Sequence, residues 1–99
     1  MQAILSALGL LDENPGASAG SDIWLAKQSH EPLVSINPTT GEPLARVHTA
    51  TSADYEAIVQ HAHAAFLEWR MFPAPKRGDL IRDLGQALRE AKEPLGRLV

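Results

Sequence analysis

Residues 16–20 spell G-x-S-x-G, the pattern of a hydrolase nucleophile elbow, with Ser18 at the centre. In such enzymes a strand precedes the serine and a helix follows it, so that the hydroxyl is exposed for attack on a carbonyl carbon. Here Asn-Pro precedes the motif and Ser-Asp follows it, and these residue types are typical of loops. A phosphate-binding loop is excluded as well, because the glycine spacing differs and no lysine follows the second glycine. We therefore predict a flexible loop without chemistry.

The four histidines could bind a metal or transfer a proton; they are His30, His48, His61 and His63. His61 and His63 are two residues apart within a helical pattern, so their side chains point in nearly opposite directions and cannot share one metal ion. We predict that all four are solvated surface histidines. The chain has no cysteine, which removes disulfides, thiolate zinc sites and cysteine nucleophiles. We accordingly assign no catalytic, cofactor-binding or metal-ligating residue in this chain.

The charge pattern gives no electrostatic case for nucleic acid or an anionic membrane as a partner. The formal net charge is −3, which does not attract phosphate groups. Six basic residues lie within residues 76–97, but four acidic residues are interleaved with them, a balance that is typical of a solvated helix face. No apolar run approaches the ~20 residues of a membrane span, and the first residues do not read as a signal peptide. We expect a cytoplasmic protein that binds neither nucleic acid nor membrane.

Two amphipathic helices joined by a Pro-rich corner are predicted over residues 52–92. Apolar residues recur at steps of three or four, which lines one face of each helix. Pro73 and Pro75 separate the two helices, and the short corner predicts an antiparallel helix pair. Gly85 interrupts the second apolar face, which is typical of a place where another backbone packs closely. The first face should be more buried than Glu56, Gln60, His63 and Glu68; its large members are Tyr55, Ile58, Val59, Phe66 and Trp69.

Ahead of this pair, the sequence predicts a short helix, a loop and a β-hairpin. The helix falls within residues 1–11, where apolar residues have helical spacing, and residues 12–29 predict a loop rich in Gly, Ala, Ser and Asn. The hairpin covers residues 33–49, with the turn sequence N-P-T-T-G-E at 37–42. No neighbouring strand is predicted for it, and a two-stranded hairpin is marginal by itself.

The last residues, 94–99, predict the start of a third helix whose apolar positions Leu95, Leu98 and Val99 have no predicted partner. The 99 residues allow one small α+β domain. A domain rarely ends on an uncapped apolar face, so we expect a fragment of a larger protein that is only marginally folded alone.

With these residues laid out, the chain resembles the N-terminal segment of an aldehyde dehydrogenase. The N-P-T-T-G-E turn and residues 44–47 resemble the opening β-hairpin of that superfamily, and residues 62–69 resemble the end of its first long helix. The resemblance is closer to the antiquitin branch, the α-aminoadipic semialdehyde (piperideine-6-carboxylate) dehydrogenases of lysine catabolism. The pieces shared with that branch, in order, are residues 8–10, 13–14 with 16, 53–56, 73–78, 87–90, and 95–96 with 98–99.

The resemblance implies an NAD-dependent oxidation of an aldehyde to the acid by a homotetrameric parent enzyme, and the antiquitin branch implies that the aldehyde is α-aminoadipic semialdehyde. In the family a cysteine thiolate attacks the aldehyde, hydride passes to the nicotinamide, and water activated by a glutamate hydrolyses the thioester. The resemblance places the thiolate and the dinucleotide-binding segment later in the parent chain, so the 99 residues should be inactive alone and form part of its α/β NAD-binding domain. In several family members carbonyls just before the Asn-Pro hold a structural monovalent cation; here those belong to Ser35 and Ile36.

Two alternatives remain open at this point. The parent could belong to another aldehyde dehydrogenase branch that oxidises a different aldehyde. The chain could also be a stand-alone helical module that binds a partner through its exposed apolar face. A downstream cysteine in the same reading frame would favour the enzyme, and a cooperative unfolding transition of the 99 residues would favour the module.

Overall fold

The computed structural model describes residues 1–20 and 22–99. These residues form an α+β structure, as predicted. They divide into two compact units. The helical unit consists of Met1–Gly9 and Ala65–Val99, and the strand unit consists of Leu10–Ala64.

A three-stranded sheet organises the strand unit. Strand β4 (Leu33–Ile36) pairs antiparallel with β5 (Pro43–Val47), which confirms the predicted hairpin. Its turn is held by Asn37, whose side-chain oxygen accepts the backbone N–H of Thr39 at 2.9 Å. Gly41 has a φ of 75°, the left-handed conformation that glycine adopts without a steric penalty. The turn chemistry therefore fixes the hairpin locally.

The prediction of a loop over residues 12–29 is wrong. The described part of this segment contains β1 (Glu13–Asn14), β2 (Ala17–Gly20) and β3 (Ile23–Leu25); Ser21 lies outside the described residues. Strand β1 pairs parallel with β5, and β2 pairs antiparallel with β3. The hairpin therefore has a neighbouring strand from its own chain, contrary to prediction. Strands of two to four residues are too short to show an alternating pattern, so their distant partners define them.

Close packing of two backbone segments joins β1 to the end of β5. A Cβ atom added at Gly16 would overlap the carbonyl oxygen of His48, so only glycine fits there. The N–H of Gly16 donates to the carbonyl of Ala26 at 3.2 Å. Ala26 is buried and has a φ of 54°, a conformation that is uncommon for residues with a side chain. Residues 16, 26 and 48 are thus closely packed against one another.

In the helical unit, α1 (Gln2–Ala7) lies against α4 (Lys92–Leu98). Leu5 of α1 is only 4% exposed. The sequence predicts no packing partner for the helix that carries Leu95 and Leu98. This prediction is wrong, because α4 packs against α1. Helix α4 starts at Lys92, two residues earlier than predicted, and Pro94 lies in its first turn, where a missing N–H costs no hydrogen bond.

The two long helices are α2 (Ser52–Trp69) and α3 (Ala74–Glu90). Thr51 and Asp54 cap α2 reciprocally: the N–H of Thr51 donates to Asp54 at 2.8 Å, and the N–H of Asp54 donates to Thr51 Oγ1 at 3.2 Å. Residues 70–73 are not helical, which confirms the predicted break before the prolines. No helix within the described residues is long and apolar enough to cross a membrane.

The predicted burial of the apolar helix faces is correct only in part. On α2, Ile58 and Trp69 are half-buried, whereas the four polar comparison residues are exposed. Tyr55, Val59 and Phe66 are exposed instead, Tyr55 at 63%. On α3, the large apolar side chains are all more than half exposed; they are Leu80, Ile81, Leu84 and Leu88. No described atom lies within 4 Å of a Cβ added at Gly85, so the close packing expected there is absent from the described structure.

Candidate functional site

Ser18 is not placed as a nucleophile. It lies in β2, and the strand β3 follows where an elbow requires a helix. Its hydroxyl donates to the carbonyl of Gly20 at 2.6 Å and accepts the N–H of the same residue at 3.2 Å. These local bonds stabilise the bulge in β2, and the described part of the motif is a strand rather than the predicted flexible loop.

Three of the four histidines are on the surface, as predicted. His30 is exposed beside the strand unit, and His61 and His63 are exposed on α2. The prediction is wrong for His48, which is only 9% exposed. Since a buried imidazole needs hydrogen-bond partners, His48 marks the place where the structure brings polar groups together.

The His48 cluster comprises Glu13, Ser29, Arg46, His48 and Thr49. His48 Nδ1 accepts the backbone N–H of Ser29 at 3.1 Å and lies 3.2 Å from Ser29 Oγ. Ser29 Oγ in turn accepts the backbone N–H of Thr49 at 3.2 Å. Strand β5 and its extension supply Arg46, His48 and Thr49, while the segment after β3 supplies Ser29. The cluster therefore joins three stretches that are far apart in sequence.

On the other side of the ring, His48 Nε2 lies 3.4 Å from the Glu13 carboxylate, which also faces Arg46 at 3.5 Å. Parallel pairing of β1 with β5 places Glu13 opposite Arg46 and so beside His48. Glu13 and Arg46 are more than half exposed, and solvent therefore screens their attraction strongly. Because Nδ1 accepts a backbone N–H, the proton of the neutral ring is on Nε2, where it points to the carboxylate.

Ser29, His48 and Glu13 contact one another in the order serine, histidine, carboxylate, as in a hydrolytic triad. Their hydrogen bonds nevertheless favour a structural role. In a triad the imidazole is free to take the proton of the serine hydroxyl. Here the Ser29 backbone N–H already binds Nδ1, and Ser29 Oγ accepts from Thr49. Both atoms that would react are therefore occupied by backbone bonds, and the cluster ties segments together.

An open depression of about 680 Å³ lies beside the cluster. Ser29 and Thr49 contribute to its wall, together with Gln28, His30, Glu31, Leu33 and Thr51. Most of its lining residues carry a polar group and Leu33 is the one large apolar side chain, but the depression is open, whereas a typical small-molecule pocket encloses its ligand. The depression is thus a surface beside the cluster rather than an active-site cleft.

Sequence reasoning missed the His48 cluster because its members have no common spacing along the chain. Ser29 and His48 are 19 residues apart, and Glu13 and Arg46 are 33 residues apart. One available signal was Gly16, a glycine whose place in the structure requires close backbone approach rather than a turn.

Comparison with known proteins identifies the family of this chain, which the His48 cluster does not. The sequence model of the aldehyde dehydrogenase family matches residues 24–99, which is most of the chain. The chain belongs to the aldehyde dehydrogenase family. This confirms the family resemblance seen in the sequence.

Its relatives within this family include α-aminoadipic semialdehyde dehydrogenases. The protein of that name from Bos taurus is 44% identical over 97 residues, which is 98% of this chain and 17% of the relative. The protein of the same name from Rattus norvegicus is 42% identical over 97 residues, which is again 98% of this chain and 17% of the relative. Aldehyde dehydrogenase family 7 member A1 from Pisum sativum is 48% identical over 95 residues, 96% of this chain and 18% of the relative. The chain spans less than a fifth of the length of these curated relatives.

The described residues of this family member lack the turn on which a Rossmann-type dinucleotide site is built. Such a site needs a glycine-rich turn between a strand and a helix, whereas residues 16–20 lead from β1 into β2 and then into β3. Ser35 and Ile36 lie side by side in β4, where the register shifts. Within the described residues, no three His, Cys, Asp or Glu side chains are grouped to hold a metal.

Proposed function

We propose that this chain is the N-terminal portion of an NAD-dependent aldehyde dehydrogenase that oxidises α-aminoadipic semialdehyde to its acid. The observation that carries the proposal is similarity over 98% of the chain to proteins named for that substrate. The parent enzyme is a cytoplasmic homotetramer, and NAD supplies the hydride acceptor when bound. The thiolate and the dinucleotide site belong to parts of the parent other than these 99 residues, which contain no cysteine.

The apolar face of α3 supports a larger parent. Leu80, Ile81, Leu84 and Leu88 are between 55% and 59% exposed on one side of the helix. A row of large apolar side chains in water is unusual for a complete soluble protein and marks a surface that another element covers. In our proposal the rest of the parent covers it as part of an α/β NAD-binding domain, and α2 and α3 form an antiparallel pair there.

A buried polar atom on the same helix supports the same proposal. Arg77 Nε is buried and has no hydrogen-bond partner among the described residues. Buried polar atoms of this kind are normally satisfied. Arg77 precedes Leu80 and Leu84 at helical spacing, so it lies on the face that the parent would cover. This chain already covers the atom, so in our proposal the local packing around Arg77 changes in the complete parent and an acceptor of the parent then reaches it.

The test is a comparison of the full-length protein with the 99-residue chain. With NAD present, the full-length enzyme should reduce NAD with α-aminoadipic semialdehyde at a kcat/KM about 10-fold or more above that for acetaldehyde or hexanal. The 99-residue chain, assayed at equal concentration, should give no NADH and should show only a weak, broad unfolding transition in urea.

Two other results would redirect the proposal. A preference for a short aliphatic aldehyde would assign the parent to another branch of the family. A sharp two-state transition of a soluble 99-residue monomer would contradict the fragment interpretation and favour a stand-alone module with an exposed apolar face. The bovine enzyme is the positive control for the assay, since its name states the substrate.

A further inference from the structure

The His48 imidazole carries hydrogen bonds that aldehyde oxidation does not use. At Nδ1 it accepts the backbone N–H of Ser29 at 3.1 Å, across 19 residues of sequence. The ring is 9% exposed, so water does not readily replace that bond. The position of Ser29 therefore depends on the state of one nitrogen atom.

That nitrogen can accept only while it carries no proton. Histidine is the side chain that ordinarily changes charge between pH 5 and 8. When the ring gains its second proton, Nδ1 becomes a donor and faces the Ser29 N–H, also a donor. The Ser29 hydroxyl can accept from the charged ring, but the Ser29 backbone N–H then has no acceptor there.

We propose that His48 is a proton-operated switch that holds the segment around Ser29 against Thr49 while neutral and releases it when protonated. The bond that is lost is Ser29 N–H to His48 Nδ1, and the bond from Thr49 N–H to Ser29 Oγ weakens with it. No covalent bond changes.

The charged neighbours of His48 determine which contact of the ring is lost on protonation. Glu13 of β1 faces Nε2 at 3.4 Å and Arg46 of β5 faces the same carboxylate at 3.5 Å. A charged ring attracts Glu13 more strongly than a neutral one, so the contact with β1 persists. Lys27 and His30 flank Ser29 in the chain and are exposed. Because they are exposed, solvent screens their charges from the ring, and the bonds of Ser29 and Glu13 decide the outcome.

Release changes the wall of the neighbouring depression. Gln28, Ser29 and His30 line it on one side and Thr49 on the other. When the segment moves away from Thr49, the two sides separate. Acid therefore reshapes this surface without disturbing the pairing of β1 with β5, which uses backbone bonds such as Arg46 N–H to the carbonyl of Asp12 at 2.8 Å.

The test is hydrogen–deuterium exchange of the full-length protein at pH values from 8 to 5, read by mass spectrometry with fragmentation that resolves single amides. The exchange rates report the Ser29 and Arg46 amides, and a change with acid that is absent from the His48→Asn variant is assigned to the His48 ring. After correction for the intrinsic pH dependence of exchange, the Ser29 amide should exchange about 10-fold faster once the ring is charged, as expected for loss of one buried hydrogen bond. The Arg46 amide should keep its protection.

Two variants separate the switch from a structural role. In His48→Asn, the side-chain oxygen replaces Nδ1 as an acceptor without titrating, so Ser29 should stay protected at pH 5. His30→Gln removes an exposed histidine that flanks the same segment, and the wild-type response to acid should persist. The exchange of the wild type between pH 8 and pH 5 decides alone if the Asn variant does not fold.

Three outcomes would overturn the proposal. The first is a Ser29 amide that is unprotected at pH 8, and the second is one whose protection does not fall between pH 8 and pH 5. The third is a folded His48→Asn chain that loses protection with acid as the wild type does.

Discussion

The strand unit and the helical unit of this chain are stabilised in opposite ways. In the strand unit, short strands with little pattern of their own are held by partners far along the sequence, including the bonds of His48 to Ser29 and Glu13. In the helical unit, the long helix α3 follows a local pattern and keeps its apolar side exposed, as Leu84 does at 57%. The first unit has specific contacts and little apolar burial, and the second has regular helices and little tertiary packing.

This difference shows that a chain can form regular helices without a packed interior. Helix α2 begins at the reciprocal cap of Thr51 and Asp54, and α3 begins directly after Pro73 without a side-chain cap, yet neither helix has a buried residue. The strand unit defines unique positions through close approach, at Gly16 above all. Single substitutions should therefore have large effects in the strand unit and small ones in the helical unit.

The largest expected effect is that of Gly16→Ala. The new Cβ would overlap the carbonyl oxygen of His48, which is backbone and cannot rotate away. We expect a loss of about 3 kcal/mol, the upper end of the range for overpacking. In a marginally folded chain this should abolish amide protection in the strand unit, at Arg46 and His48 for example. NMR hydrogen exchange measures it, and far-UV circular dichroism monitors the helices.

Gly78→Ala is the matched control, since no described atom lies within 4 Å of a Cβ there. It should leave strand-unit protection unchanged. If Gly16→Ala also leaves that protection unchanged, the close approach of the two backbones is wrong, and the contrast between the units loses its main support.

A medium effect of opposite sign is expected for Gly85→Ala. Glycine in a helix interior is less favourable than alanine by about 1 kcal/mol, and the described structure leaves space for the methyl group. The 99-residue chain should gain helical content and resist urea better by about that amount, as measured by circular dichroism at 222 nm. A loss of stability would instead show that another backbone packs against α3.

The same change in the strand unit provides the comparison. Gly41→Ala has equal space but a φ of 75°, a conformation that disfavours alanine. It should weaken the β4–β5 hairpin. If both substitutions changed the stability in the same direction, helix preference and turn geometry could not be distinguished as the causes.

The smallest effect is expected for Glu93→Gln on α4. Glu93 pairs with Arg97 at 2.9 Å, four residues on, and both side chains are more than half exposed. Such pairs stabilise a helix by roughly 0.2–0.5 kcal/mol and are screened by salt. Circular dichroism at low salt and near 1 M salt should show a small loss that disappears at high salt. A loss that is large or insensitive to salt would mean that this pair is part of a packed contact.

The sequence predicts what local patterns determine and misses what distant partners determine. The hairpin at residues 33–47, the helices and the break at Pro73 follow from turn chemistry, periodicity and proline. Strand β1 has only two residues and is defined by β5, and His48 is buried because Gly16 and Ser29 meet it. On α2 the predicted burial is correct only for Ile58 and Trp69, because periodicity identifies a helix face and not what covers it.

The parallel pairing of β1 with β5 has a consequence during synthesis on the ribosome. Glu13 leaves the ribosome 33 residues ahead of its partner Arg46, and translation adds about 5–20 residues per second. Strand β1 therefore waits roughly 2–7 s for its partner, whereas hairpins form within about 10 μs once both strands have emerged. The order of emergence makes β2–β3 pair first and β4–β5 next, and β1 joins when Arg46 and Val47 appear. Throughout that delay the nascent chain exposes an unpaired strand edge to any neighbouring polypeptide.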